Sequence, residues 1–383
     1  MASNLATAFT RAVNIKYPVI QAPCAGHTGV DLVAAVSNAG GLGSLGAAMM
    51  PIDTMRNTIR AIKQKTTQPF AVNLFCRDPH VPTVQELHQD YPNVDTVLER
   101  IRKDLNLPTP TKYTLRSPPL DEQISVILEE KVPVVSFTFG ILPDNELERL
   151  WNAGVYLIGT ATSVKEALIL AGLDEQDPTR KADAIVAQGL EAGGHRGTFL
   201  FDEQQLPVRD LTEQIYDMFK RRQPPTSEKH ISVPILAAGG LSSGADVAEL
   251  LNKYHADGAV LGSLFMLSKD STTPSVQRRI MMESDQQPRL TRGLSGRFAR
   301  GFPNVFMEKM DQLADTDIPS YDIHSARTKD IAGHASANGI SDYMMLWSGT
   351  NARAAGQYTD QANLSADAIV AKLVKDITNA TTS

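Results

Sequence analysis

Apolar positions along the chain come in two alternating patterns. Short runs rich in β-branched residues, such as "PFAVNLF" and "VPILAAGG", alternate with stretches in which apolar residues recur every three or four positions. The first pattern reads as strand buried on both faces, the second as amphipathic helix. "YPVIQAP", from Tyr17, is the first strand, and the helical "DLVAAVSNAG" after it ends in a glycine stop. "GLGSLG" is a small second strand. "PIDTMRNTIRAIKQK" opens with proline and closes with lysines, as a helix does, and "PFAVNLF" is the third strand. The strands "VPVVSFTFG", "VYLIGTAT", "DAIVAQG", "VPILAAGG" and "DGAVLGSLFM" follow, separated by helical patterns such as "SVKEALILAG" and "SGADVAELLNKY".

Eight strands, mostly followed by helices, predict an α/β fold, a (β/α)8 TIM barrel. A doubly wound open sheet has the same periodicity, because a pattern does not show closure. One stretch breaks the rhythm. Arg77 to Pro118 is rich in Pro, Asp, Asn and Thr around one helical piece, "NVDTVLERIRKDL", and reads as an inserted, lid-like segment. The barrel then occupies residues 1–76 and 119–268, the insertion 77–118, and a helical C-terminal extension, packed on the barrel's outside or top, 269–383.

Composition narrows the function. The 383 residues carry a net charge of −6, with 42% hydrophobic and 21% charged residues, which is ordinary soluble globular composition. Mild acidity without a basic face argues against nucleic acid, and "KRR" at Lys220 to Arg222 reads as solvated helix surface. Two cysteines, Cys24 and Cys76, make no disulfide framework and suit a reducing compartment. No apolar run is long enough to span a bilayer. The first sixteen residues lack acids and carry Arg11 and Lys16, a faint transit-peptide character with little chain before the first strand. The expected location is cytoplasmic, with organellar targeting left open, and the expected state a monomer or small homo-oligomer.

In this fold chemistry sits at the C-terminal ends of the strands. Strand one ends at Gln21, Ala22 and Pro23; strand three carries Asn73; strand four ends in Thr138; strand six ends in Gln188 and continues as "GLEAGGHRG", with Gly193 and Gly194. Strand seven ends in "AAGG", with Gly239 and Gly240, and strand eight in Val260, Leu261, Gly262 and Ser263. Small, glycine-rich ends after strands seven and eight make the usual phosphate cradle of a barrel, through exposed N–H groups and a following helix N-terminus. The alternative is that these are turn glycines. Asn73 and Gln188 each offer donor and acceptor on one planar group, which suits a flat heterocycle such as a flavin; equally, each could tie loops together.

"GLGSLG" also matches the dinucleotide-binding G-x-G-x-x-G pattern. It follows a helix rather than a strand, however, and no acid occurs between Ile62 and Thr66, so it is set aside. Of the eight histidines, His195 alone sits in a glycine-rich loop at a strand's C-terminal end. No histidine or cysteine spacing supports a metal. A general base is the natural role, and a structural histidine the alternative. Glu191, four residues earlier, could orient it or could be a solvated loop charge.

"QGLEAGGHRG", "AAGGL" and "LGSLF", with "YPVIQAPCAG", "AVNLF" and "GRFARGFPN", resemble the nitronate monooxygenase (2-nitropropane dioxygenase) family. The insertion and "GRFARG" resemble its class I branch. The resemblance implies a noncovalent FMN in the barrel mouth. It implies oxidation of alkyl nitronates, such as propionate 3-nitronate, by O2 to carbonyl compounds and nitrite, through single-electron transfer to the flavin. His195 then matches the catalytic histidine. Asn73, Gln188, Gly193, Gly240 and the Val260 to Ser263 segment match FMN contacts. A neutral nitroalkane must first lose its α-proton, which His195 could take; with a nitronate, a protonated His195 could instead steer the anion. "YMMLWSGTNAR" has Thr350 where the family commonly has glutamine, which leaves Tyr343 and Trp347 without an assigned role. Competing readings are an FMN-dependent NAD(P)H:quinone or enoyl-thioester reductase, and a non-enzymatic flavin- or phosphate-binding barrel.

Overall fold

The eight apolar runs pair side by side as one parallel sheet. The computed structural model describes residues 5–76, 81–222 and 233–382. The strands are β1 (Val19–Gln21), β2 (Gly43–Gly46), β3 (Phe70–Phe75), β4 (Val134–Thr138), β5 (Tyr156–Ala161), β6 (Ala184–Gln188), β7 (Gly194–His195), β8 (Ile235–Ala238), β9 (Gly258–Leu261), β10 (Arg289–Thr291) and β11 (Ala299–Gly301). The large sheet runs β1-β9-β8-β6-β5-β4-β3-β2. Its two ends meet. Ile20 bridges Leu42 in parallel, Gln21 N–H donates to the Leu42 carbonyl at 3.0 Å, and Leu42 N–H donates to the Val19 carbonyl at 2.9 Å. Closure of this kind distinguishes a (β/α)8 barrel from an open doubly wound sheet.

The glycines of "GLGSLG" allow close packing: a Cβ on Gly41 would lie 2.8 Å from the Val19 carbonyl oxygen at this seam. A Cβ on Gly43 would lie 2.2 Å from the Val33 carbonyl oxygen, so the helix before β2 packs directly on strand backbone. The match to a nucleotide fingerprint is therefore a close helix–strand contact.

Inward side chains fill the lower barrel: Ile20, Leu42, Ala71, Val134, Ile158 and Leu236 pack with Phe9 and Val13. Those last two come from the helix Ala8–Val13, whose Thr7 cap donates to the Asp257 carbonyl at 2.7 Å. Burying Phe9 completely is worth about 1.5–3 kcal/mol. The basic N-terminal segment thus plugs the barrel floor. No helix among the described residues is long and apolar enough to cross a membrane.

The described part of the insertion, from Val81, does not lie free over the barrel. Val94, Leu98 and Ile101 of its helix Pro92–Asp104 share a separate core with Phe306, Met307, Met310 and Ile331 from the C-terminal extension. The last helix of that extension packs outside the barrel: Ile369, Leu373 and Ile377 of helix Ala366–Thr382 join Val247 and Leu250 of helix Gly244–Lys253.

His324, on helix Tyr321–Asn338 at the edge of the insertion core, makes a stability prediction. It is fully buried, Nε2 pairs with the Gly293 carbonyl at 2.6 Å, and Nδ1 is buried without a partner among the described residues. Burial, with Arg327 and Arg292 nearby, pushes its pKa down to about 4 from 6.5. The unfolded chain therefore binds the proton more readily. Stability should hold above pH 6.5 and fall between 6.5 and 4, by about 1.4 kcal/mol per pH unit from this group. Urea midpoints at pH 7.5 and 5.0 should differ more in the wild type than in His324→Gln; equal differences would contradict the assignment.

Candidate active site

A cavity of about 240 Å³ opens at the C-terminal end of the barrel, over the inward residues Ile20, Ala71, Ile158 and Leu236. The strand ends deliver most of the expected residues to it. Ala22 and Pro23 line it after β1, Asn73 on β3, Thr138 on β4, and Gln188 on β6 with Gly193, Gly194 and His195 beyond; Gly239 and Gly240 line it after β8, and Val260, Gly262 and Ser263 at β9.

Two expected residues lie elsewhere, for the same reason. Side chains alternate along a strand, so with Ile20 and Ala22 facing the cavity, Gln21 faces away; with Val260 and Gly262 inward, Leu261 points to the surrounding helices. Gln21 is fully buried in the barrel seam. Its Oε1 accepts from Ser44 N–H at 2.9 Å, and its Nε2 donates to the Ser44 carbonyl at 3.1 Å and to the Ala22 carbonyl.

The two glycine-rich ends form a row of free donors. Among the described residues, none accepts from the backbone N–H of Gly239, Gly240, Gly262 or Ser263. Gly239 and Gly240 have φ of +130° and +65°, a conformation that turns the chain sharply and suits glycine. A Cβ on Gly240 would press on Glu191 at 2.9 Å. Such a concave set of unsatisfied N–H groups attracts an anion. The Ser263 hydroxyl accepts from Gly349 N–H at 2.9 Å, so it braces the cradle from behind.

The two neutral amides divide in role. Asn73 donates to Ser136 Oγ at 3.0 Å, while its Oδ1 makes no bond to the described protein and stays available in the cavity. Gln188 is occupied: Nε2 donates to the His195 carbonyl at 3.1 Å, and Oε1 accepts from Gly197 N–H at 2.8 Å. It lines the cavity, but its hydrogen bonds chiefly shape the loop that carries His195.

That loop is held from several sides. β7 pairs antiparallel with β11, placing His195 opposite Ala299, so "GGHRG" and "GRFARG" are neighbouring strands. Arg196 donates to the carbonyls of Gly189 (2.6 Å) and Gln188 (2.9 Å) and to Gln205 Oε1. Glu191 does not reach His195. Its carboxylate accepts from Val208 N–H at 2.9 Å, at the start of the helix Val208–Arg222, because the glycines turn it away from the cavity.

His195 is oriented by Ser295, 100 residues further along the chain: Nε2 lies 2.9 Å from Ser295 Oγ. The Ser295 hydroxyl donates to the Arg297 carbonyl at 3.1 Å, which makes its oxygen the acceptor for His195 Nε2–H. The proton is then on Nε2, and Nδ1, with no partner among the described residues, carries the lone pair. The ring is boxed by Tyr321 and Trp347, each with centroids 5.4 Å away, and by Phe139 at 5.7 Å. Burial, followed by the cations Arg297 and Arg116, pushes the His195 pKa down to about 3. The resident form is neutral imidazole, not the imidazolium that could steer an anion.

Sequence reasoning missed Ser295, Tyr321 and Phe139, and left Trp347 unassigned. Trp347, Ser348, Gly349 and Asn351 all line the cavity, whereas Tyr343 reaches Asp104 at 3.3 Å. The G-R-F-A-R-G string was the one signal for the first of these. No Asp, Glu, Lys or Arg lines the cavity among the described residues.

The fold defines a (β/α)8-barrel enzyme whose candidate active site is the cavity at the barrel mouth, lined by His195. The chain belongs to the nitronate monooxygenase family, whose model matches residues 6–376; these are flavin-dependent oxidoreductases. It is similar to probable nitronate monooxygenases of Staphylococcus aureus. The protein of strain JH9 is 36% identical over 352 residues, covering 90% of this chain and 92% of the relative; that of strain MSSA476 is 35% identical over 374 residues, covering 96% of each. Among solved structures, nitroalkane oxidase from Streptomyces ansochromogenes superposes with a TM-score of 0.80 at 28% identity, covering 98% of this chain and 99% of that one. FabK from Thermotoga maritima, at 22% identity and a TM-score of 0.70, covers 98% of this chain and 97% of its own, and shares the fold.

Proposed function

We propose that the protein oxidises alkyl nitronates, such as propionate 3-nitronate, and neutral nitroalkanes with O2, giving carbonyl compounds and nitrite, with FMN as its flavin. The observation that carries this reading is the pairing, across one cavity, of a cradle of four free N–H groups with a neutral histidine whose Nδ1 is unbonded. The cradle of Gly239, Gly240, Gly262 and Ser263 fits a phosphate monoester. Asn73, with a free acceptor and a second N–H, fits the alternating edge of an isoalloxazine ring. Bound FMN supplies the electron acceptor and the reaction with oxygen.

The protein's own part is binding and one proton. His195 Nδ1 takes the α-proton of a neutral nitroalkane, and Ser295 holds the ring so that Nδ1 faces the cavity. A nitronate has already lost that proton and needs only to be positioned. Phe139 and Trp347 line the cavity beside His195 and offer apolar surface to the alkyl chain, while Tyr321 packs on the imidazole. Two free cysteines, Cys24 and Cys76, support a cytoplasmic location.

The purified protein should be yellow and should consume oxygen with propionate 3-nitronate and with ethyl nitronate. Under anaerobic conditions a nitronate alone should bleach the flavin and NADH should not. Bleaching by NADH without oxygen uptake on any nitronate would favour a reductase, which rests at present on likeness of fold. A colourless protein that takes up no FMN would overturn the reading.

A further inference from the structure

Two imidazoles line the cavity, and the reaction so far uses one. The other is His27, in the turn that follows β1. Its backbone is fixed from both sides. Its N–H donates to the Cys24 carbonyl at 2.9 Å, and its carbonyl accepts from Thr272 N–H at 3.1 Å and from the Ser271 hydroxyl at 3.0 Å. The turn therefore holds the residue at the cavity wall.

Neither ring nitrogen is bonded to the described protein. Nδ1 is buried without a partner among the described residues, whereas Nε2 is not enclosed, on a side chain that lines the cavity. Buried polar atoms in folded proteins are nearly always satisfied, and an exception points to strain, a role, or a missing partner. Packing alone does not account for the residue, because leucine would fill similar space without the desolvation cost. Burial, with the Arg278 guanidinium as the charge acting on the ring, lowers its pKa to about 4, so it is neutral at working pH. Arg278 is itself fixed by donating to the carbonyls of Thr273 (3.0 Å) and Ser271. A neutral imidazole has one N–H and one lone pair. The enclosed Nδ1 has no acceptor for a proton among the described residues, so the N–H is assigned to Nε2.

We infer that His27 is a second ligand-contacting residue of the active site, donating Nε2–H to an acceptor oxygen of whatever fills the cavity. Two sources share this chemistry: an oxygen of bound FMN and an oxygen of the nitronate. The inference rests on the function proposed above, and it adds a donor on the β1 turn to the cradle and to His195.

His27→Leu and His27→Gln separate the possibilities. FMN affinity is read by fluorescence quenching on titration into the apoprotein, and nitronate KM by oxygen uptake at saturating FMN. His27→Leu should raise either the FMN Kd or the nitronate KM about 3- to 10-fold, the effect of one lost hydrogen bond. His27→Gln, which keeps an N–H on a flat side chain, should return that quantity to within about twofold of wild type. A shift in FMN affinity identifies the flavin as acceptor, and a shift in KM the nitronate. Should His27→Leu not fold, His27→Ala takes its place. The inference fails if both quantities stay within twofold in the apolar variant, or if His27→Gln is as impaired as His27→Leu. A wild type that binds no FMN and oxidises no nitronate would instead sink the proposed function.

Discussion

His195→Asn is expected to abolish oxygen uptake with neutral nitroethane and only to weaken it with ethyl nitronate. Asparagine keeps a polar, flat side chain beside Ser295 but has no basic nitrogen. General-base catalysis contributes about 10²- to 10⁴-fold, so the nitroalkane rate should fall at least about 100-fold. With ethyl nitronate no proton has to move, and the loss is confined to positioning in the box of Phe139, Tyr321 and Trp347. The pH dependence follows from the same site. With its pKa pushed down to about 3, His195 stays an unprotonated base throughout pH 5 to 8. The nitroalkane kcat/KM should therefore show no acid limb near 6.5, the ordinary imidazole value. Equal nitroethane rates for His195→Asn and wild type would remove His195 from the chemistry. An acid limb near 6.5 that vanishes in the variant would show that the imidazole titrates normally.

What could be read from the sequence was local. Alternation of apolar runs marked all eight barrel strands, and small residues at the ends of β8 and β9 marked the cradle, because both depend on neighbouring residues. The same alternation, applied one residue more strictly, would have excluded Gln21 and Leu261, which face away from the cavity. The partner of His195 was a different matter. Glu191 is close in sequence, yet two glycines and a helix start direct it elsewhere. Ser295 is remote in sequence, and only the pairing of β7 with β11 brings it within 2.9 Å. Similarly, Val94, Leu98 and Ile101 declare an apolar face on the insertion, but nothing along the chain names the residues that cover it. The burial of Arg102 and Arg327 depends on carboxylates more than two hundred residues away, which no local pattern marks.

The largest stability effect should come from one of those arginines. Arg327→Met is expected to lower stability by roughly 3 kcal/mol, the lower end of the range for breaking a buried ion pair. Arg327 is 2% exposed. Nη1 meets Asp95 at 2.6 Å, Nη2 donates to the carbonyls of Leu87 (3.2 Å) and Gln89, and the guanidinium lies between the rings of Tyr91 (4.7 Å) and Tyr113 (4.6 Å). Methionine fills the volume but leaves two carbonyls and a carboxylate without their donor. The Asp95 side chain is 25% exposed, so water recovers part of the loss, which argues for the lower figure. Arg353 is the internal comparison. Its pair with Asp285 is 59% and 91% exposed, and Arg353→Met should move the urea midpoint hardly at all. If both substitutions shift the midpoint equally, Arg327 is not the clamp. If Arg327→Met alone is costly, this side chain is a clamp between the insertion and the helix Tyr321–Asn338, beside Arg102 and the shared apolar core. The same helix begins at Tyr321, 5.4 Å from the His195 ring.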